Sequence, residues 1–566
     1  MSQKWFLYHS SEDPFAFPVG EGALKIRLFV QAGQQISCKV IHSDRYDSPG
    51  REIPLIMDRV GSAGAYEIHE AIITTDMKRV RYLFYVENKT GEYLWYGERG
   101  ISENRERAGS FQYAYFHRNV ALELPSWISD AITYQIYPGS YNQGTLQGIT
   151  EKTPYLQELG ITVIYMTPIF ESPSEHKYNT TDYYKVDPGF GDMDGLKELV
   201  SQAHQHGIKV VLDAVFNHSG DTFFAFKDVM EKGENSAYKD WFFIDSYPVT
   251  QSPSPNFETF GKAEIHMPKL NMDHPAAADY MIDVAKYWVR EVGIDGWRLD
   301  VANEVNPLFW ARFRRELKAE YPELLLIGEI MHASGPWLRG DQFDGTMNYV
   351  LRDAMLEFYA EQTTGPVRFM EQVLHQEALY NDQANSAMFQ LIGSHDTLRF
   401  LTACKLGGRG WDRESTAERR MRLAVFFQLT YIGIPMIYYG DEVGMEGATD
   451  PHCRRPMIWQ ESGQNSGLLE WYRQLISLRM SHEVLRKGSF CPWFTDEARN
   501  VLGYVRQNGP EKMGLIINNS PNSYQLELSP YCTDKNVLTD LLTGLYFENT
   551  DKLFVQIEPF GCLMLY

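Results

Sequence analysis

Paired cysteines are what this chain most plainly lacks. Its six (Cys38, Cys404, Cys453, Cys491, Cys532 and Cys562) are scattered, with no CxxC among them. That spacing excludes a zinc ribbon or a thioredoxin-type motif and argues against a disulfide frame. Scattered thiols are expected in a cytoplasmic protein. Basic residues are scarce too: 53 Lys and Arg face 74 Asp and Glu, for a formal charge of −21. So acidic a surface argues against nucleic acid or an anionic membrane as partner. No apolar run approaches the ~20 residues of a membrane-spanning helix. The opening "MSQKWFLYHSSEDPFAF" lacks the basic stretch and long apolar core of a signal peptide. HExxH, Walker and glycine-rich dinucleotide signatures are absent. What remains suits a soluble globular protein acting on a neutral substrate.

The 566 residues are too many for one core. Residues 1–122 alternate apolar and polar positions in short bursts such as "LKIRLFVQA" and "VRYLFYVEN", separated by turn residues such as "NKTGE". That is the pattern of a β-sandwich. From residue 123 to 487 short apolar runs alternate with amphipathic helical segments. Eight runs are expected to be strands: 131–138, 161–169, 209–218, 296–302, 324–330, 345–349, 386–396 and 434–442. Eight β-then-α units predict a (β/α)8 TIM barrel. Residues 219–273, after the third run, break the rhythm and predict an inserted lobe. Residues 488–566 return to strand patterning and predict a C-terminal β-sandwich domain. The expected fold is therefore multidomain α/β.

One stretch raises a chemical question. In "GIDGWRLDVANEV" (293–305), Arg298 and Asp300 share one face of an otherwise apolar strand. A buried ion pair is expensive unless something uses it. In a (β/α)8 barrel the site lies at the C-terminal strand ends. There the runs end in Asn217 and His218, Arg298 and Asp300, Glu329, and His395 and Asp396. Three carboxylates, one arginine and two histidines converging on one mouth exceed what stability requires. Two carboxylates flanking a sugar linkage are the requirement of glycoside hydrolysis. One must stay ionised, and Arg298 is placed to lower the pKa of Asp300. The other must hold a proton, and the apolar flank "LLLIG" suits Glu329 for that.

These segments reach a family. "DAVFNH", "GWRLDVANEV", "GEI" and "SHD" resemble, in order, the four signature segments of the α-amylase family of glycoside hydrolases (family 13). "MPKLN" (267–271) resembles the extra motif of its neopullulanase, cyclomaltodextrinase and maltogenic amylase subgroup. The resemblance spans the chain. It implies Asp300 as nucleophile, Glu329 as general acid/base and Asp396 as transition-state stabiliser. Arg298, His218, His395 and an aromatic platform, Tyr178, would line the same subsite, and Glu304 would contact the acceptor sugar. A solvated loop charge is the other reading of Glu304. The activity implied is cleavage of α-1,4 bonds in cyclodextrins and maltodextrins with some transfer; pullulan and α-1,6 bonds stay open. A 4-α-glucanotransferase and a non-catalytic glucan- or partner-binding protein are the alternatives. The resemblance also implies a homodimer whose N-terminal sandwich narrows the partner's active-site mouth. "EYLWYGERG" (92–100) is the aromatic stretch available for that interface.

Other residues are read more plainly. Asp213, on the interior face of the third strand, is expected to serve as a structural hydrogen-bonding group. Within "SHD", strand neighbours point to opposite faces, so no Ser-His-Asp relay is expected. His176 and Asp182 either bind substrate or brace a loop. Two departures from the family stand out. The loop after the first strand, "YPGSYNQGTLQGI" (137–149), is short and offers few of the six to eight oxygens calcium needs. No metal site and no required cofactor are therefore expected. Met331 stands where close relatives carry tryptophan, which weakens the expected stacking at the acceptor side.

Overall fold

The computed structural model describes residues 6–47, 51–113, 123–252, 254–261, 264–408, 413–532 and 535–566. The expected sandwich boundary at residue 122 lies outside them. The chain forms two compact units: 1–123 with 363–385 and 488–566, and 124–362 with 386–487.

In the first unit, antiparallel strands of residues 6–113 form sheets of five and six strands. They enclose a core in which Leu24, Ile26 and Leu28 of one sheet face Val40, Phe84 and Val86 of the other. Every second residue contributes, as period-two patterning requires. A four-stranded antiparallel sheet begins at Ser489–Asp496, with short two-stranded sheets and a core of Val501, Ile516, Val555 and Leu565. Helix Pro366–Ala378 belongs to this unit.

The second unit is the barrel. Its strands are β1 (Thr133–Ile136), β2 (Val163–Met166), β3 (Lys209–Ala214), β4 (Gly296–Leu299), β5 (Leu325–Gly328), β6 (Gly345–Thr346), β7 (Phe389–Leu391) and β8 (Ile434–Tyr438). They pair in the order β6-β5-β4-β3-β2-β1-β8-β7, all parallel. A parallel bridge between Met347 and Phe389 closes the ring. Interior positions at the bottom are apolar: Val163, Val211, Leu325, Phe389 and Ile434 share one cluster. Two or four residues on, the same faces turn polar, giving Tyr165 on β2, Asp213 on β3, Arg298 on β4 and Glu329 after β5. The opposite face of β4 stays apolar, with Trp297 packing near Phe170 and Phe216.

Helix ends follow their caps. The Asp192 side chain accepts the Gly195 N–H at the start of Met193–Gln205. Helix Pro275–Val292 opens with proline and stops at Gly293, whose φ of 79° a side chain would resist.

The strands are shorter than the runs that predicted them. β4 ends at Leu299, leaving Asp300 in a turn; Asn348 caps helix Tyr349–Met355 and cuts β6 to two residues. Helix Asp382–Ala387 occupies the start of the seventh run, and Ser394, His395 and Asp396 lie beyond β7. Opposite strand faces therefore do not explain why that trio forms no relay. Ser394 Oγ instead lies 3.2 Å from the Tyr349 hydroxyl and accepts the Asp396 N–H.

Candidate active site

At the C-terminal ends of the barrel strands lies a cavity of about 500 Å³, lined by Tyr178, His218, Asp300, Glu329, Asp396 and Glu304 among others. Buried Arg298 links three carboxylates, two of which, Asp300 and Glu329, line this cavity. In the β3–β4 register Asp213 and Arg298 stand directly opposite, so Nη1 reaches both Asp213 oxygens at 2.9 and 3.0 Å. Two residues on, Asp300 Oδ1 accepts from the same nitrogen at 2.8 Å. Nη2 lies 2.5 Å from Glu329 Oε1. Arg298 and Asp213 side chains are fully buried and those of Asp300 and Glu329 nearly so.

One guanidinium thus serves three carboxylates. Burial pushes the Asp300 carboxyl well above the usual carboxylate range; Arg298 opposes this, and the Glu329 and Asp213 charges add to it. Burial likewise pushes Asp213 up to about 6 against the pull of Arg298. The expectation that Arg298 simply lowers the Asp300 pKa is corrected on this point: the pull is there, but it is shared. The surroundings expected of Glu329 are corrected as well, because its apolar approach ends against the guanidinium, and Oε2 accepts the Val301 N–H at 3.0 Å. Asp213 acts through hydrogen bonds, accepting also from the hydroxyls of Tyr165 (2.7 Å) and Tyr178 (3.3 Å).

Tyr178 and His395 stack with ring centroids 5.8 Å apart and planes 4° from parallel. The Gln135 amide lies 2.7 Å from His395 Nδ1; with that amide donating, the ring proton sits on Nε2, 2.6 Å from the Tyr178 hydroxyl and 3.1 Å from Asp396. Burial, with Arg298 and Arg454 nearby, holds His395 far below the usual histidine pKa and therefore neutral. His218 is neutral for the same first reason, burial lowering it to about 3 with help from Lys269. Its ring lies on Phe260 at 4.9 Å. Asp396 Oδ1 accepts from Arg454 at 2.9 Å, and Arg454 also holds the His395 carbonyl.

The remaining residues divide. Glu304 lines the cavity with its side chain 43% exposed, 3.5 Å from Lys269. His176 lines the cavity and also braces its loop, accepting the Tyr178 N–H. Asp182 only braces, through Lys185 and the Tyr184 N–H. Met331 stands at the rim, about half exposed. Sequence reasoning missed Arg454, Phe260 and Gln135. Gln135 carried a signal, a polar residue inside the first apolar run; Arg454 ends a three-residue 3-10 turn and Phe260 sits in a turn of the lobe, where no period marks them. The cysteines are thiols, and among the described residues no helix is long and apolar enough to cross a membrane.

Known families and structures match the chain over most of its length. The α-amylase catalytic-domain model matches residues 135–468, and the model of the α-amylase N-terminal Ig-like domain matches residues 1–117. Neopullulanase 2 of Thermoactinomyces vulgaris is 43% identical over 588 aligned residues, covering 99% of each chain. A cyclomaltodextrinase of Thermoanaerobacter pseudethanolicus is 41% identical over 543, covering 91% of this chain and 92% of its own. The solved structure of a cyclomaltodextrinase superposes with a TM-score of 0.92 at 34% identity, covering 99% of each chain.

Proposed function

Because the chain belongs to the α-amylase family of glycoside hydrolases, we propose that it cleaves α-1,4-glucosidic bonds of cyclodextrins and short maltodextrins with retention. The observation that carries this reading is Arg298 gathering Asp300 and Glu329 on one wall of the cavity. Asp300 attacks the anomeric carbon as the bond to the leaving oxygen breaks, and Glu329 gives that oxygen its proton. Water then attacks the glycosyl-enzyme, Glu329 takes a proton from it, and Asp300 is released. Asp396, steered by Arg454, is placed to hold sugar hydroxyls, while Tyr178 offers a ring face to the cleaved glucose. The printed names of the relatives, neopullulanase and cyclomaltodextrinase, support α-glucans as the substrate class.

NMR of the first product tests the mechanism. Initial appearance of the α-anomer from maltotriose is expected; initial β-anomer would refute the assignment of Asp300 as nucleophile.

We further propose a cytoplasmic homodimer. Thiols throughout support the compartment. Tyr93, half exposed and packed against Tyr85 outside the sandwich core, supports an interface on that sheet. Tyr96 of the same stretch is buried in the sandwich core and does not contribute to it.

A further inference from the structure

Val301, the residue after Asp300, holds a backbone that β-branched residues rarely adopt, with φ 44° and ψ 45°. Left-handed geometry crowds a branched Cβ against the backbone, and it persists only where surrounding contacts over-determine it. Those contacts surround the turn 300–305. The Asp300 N–H donates to the Ala214 carbonyl at 3.1 Å, and the Ala302 N–H donates to the Glu329 carbonyl at 3.2 Å. Buried Trp310 donates Nε1–H to the Ala302 carbonyl at 2.9 Å. At the far end the Lys269 ammonium donates to the Glu304 carbonyl at 3.0 Å. The same ammonium donates to Asn217 Oδ1 at 2.6 Å, and the Asn217 residue is fully buried. Lys269, in "MPKLN", therefore joins the lobe, the chain just past β3 and the end of the turn. The left-handed residue has a chemical consequence: it aims the Val301 N–H at Glu329 Oε2, while Arg298 faces Oε1. Both oxygens of one carboxyl group are fixed in this way.

We propose that Val301 and Lys269 are positioning residues for Glu329: the left-handed Val301 backbone supplies the N–H that orients the carboxyl group, and the Lys269 ammonium locks the turn that keeps it there. The inference rests on reading Glu329 as the group that gives and takes the proton. Neither residue takes part in bond breaking; both act through Glu329. A hydrogen bond donated to a carboxylate favours its charged form. Loosening the turn withdraws that donor, so the acid keeps its proton to higher pH. The alkaline limb of the kcat/KM profile then moves upward. A residue that merely supports the fold would scale the whole profile and leave the limb in place.

The test compares the full chain with K269M, K269R and V301G, by pH profiles on β-cyclodextrin and by thermal melts. K269M is expected to lose kcat about 100-fold, the scale of a misplaced catalytic group, with KM little changed. Its alkaline limb should rise by about one pH unit, the equivalent of one hydrogen bond to a charged group. K269R should restore much of both. Glycine adopts φ near 44° freely and keeps the same N–H, so V301G should melt no lower than the wild type and leave the alkaline limb in place. Should K269M fail to fold, K269Q, which keeps a donor but no charge, takes its place with the same expected direction. A folded Lys269 variant without the charge whose limb is unmoved, whether or not the rate falls, or a V301G whose limb moves as far as that of K269M, overturns the inference while an active wild type leaves the functional reading standing. A wild type inactive on β-cyclodextrin overturns the functional reading and this inference with it.

Discussion

Arg298 holds three carboxylates at once, so substitutions around it should differ in kind. Asp300→Ala removes the nucleophile, and Glu329→Gln keeps the shape of the acid without an acidic proton to give. Each should lower kcat by about three orders of magnitude or more while the melting profile stays cooperative. Steady-state rates on maltotriose, paired with circular dichroism, check this; residual activity near wild type in either variant would remove that residue from the mechanism. At this scale the sequence was informative wherever period-two alternation carried a face from apolar to polar, as from Val211 to Asp213 or Ile327 to Glu329. It was silent on sharing. Nothing in "GWRLD" tells that Arg298 also reaches Glu329, because that depends on how the barrel brings β4 and β5 into register. Arg454 was silent for another reason: "DPHCRRP" forms only a single 3-10 turn with no periodicity to read, and its contact with Asp396 spans 58 positions.

Runs of five to eleven apolar-rich residues became strands of two to six. The difference is physical: an apolar run records burial, and residues just past a barrel strand stay buried after leaving the ladder. Met347, Ile392 and Ile169 are such residues. The helix Pro366–Ala378 shows what a linear reading cannot reach. It falls between β6 and β7 in sequence, where a barrel helix is expected, yet it clusters with the sandwich sheets. There Arg27 donates to the Tyr380 carbonyl at 2.8 Å and pairs with Glu70 and Asp382. Glu377, at the end of this helix, is pushed up to about 8 by burial and by the Glu70 charge, against Arg27. The folded chain therefore binds this proton more tightly than the unfolded one, and stability falls as pH rises from about 4.5 through 8. Glu377→Gln should flatten that fall and raise the melting temperature at pH 8; melts at pH 5 and pH 8 that remain parallel to wild type would contradict it. The loop after β1 gives a second prediction. Its polar groups bond to one another: Asn142 donates to the Gly148 carbonyl at 3.0 Å, and Thr145 accepts the Gly148 N–H at 3.0 Å. Activity and melting temperature should accordingly be unchanged by EDTA. A large loss restored by calcium would show that oxygens elsewhere, in the lobe of residues 219–273, hold a cation.

At the scale of the whole molecule, a hydrolase barrel shares its chain with an N-terminal Ig-like domain matched over residues 1–117. Family and architecture were legible because five short motifs occur in order; substrate size was not, since it depends on what surrounds the cavity mouth. If the sandwich of a second copy narrows that mouth, sedimentation equilibrium should give twice the 65.3 kDa chain mass, and a monomer at micromolar concentration would contradict the arrangement. The most direct measurement is the initial rate of the full chain on β-cyclodextrin and on soluble starch at equal glucosyl concentration. The cyclodextrin is expected to be cleaved much faster; starch cleaved as fast or faster, or no cleavage of either, would contradict the proposed function.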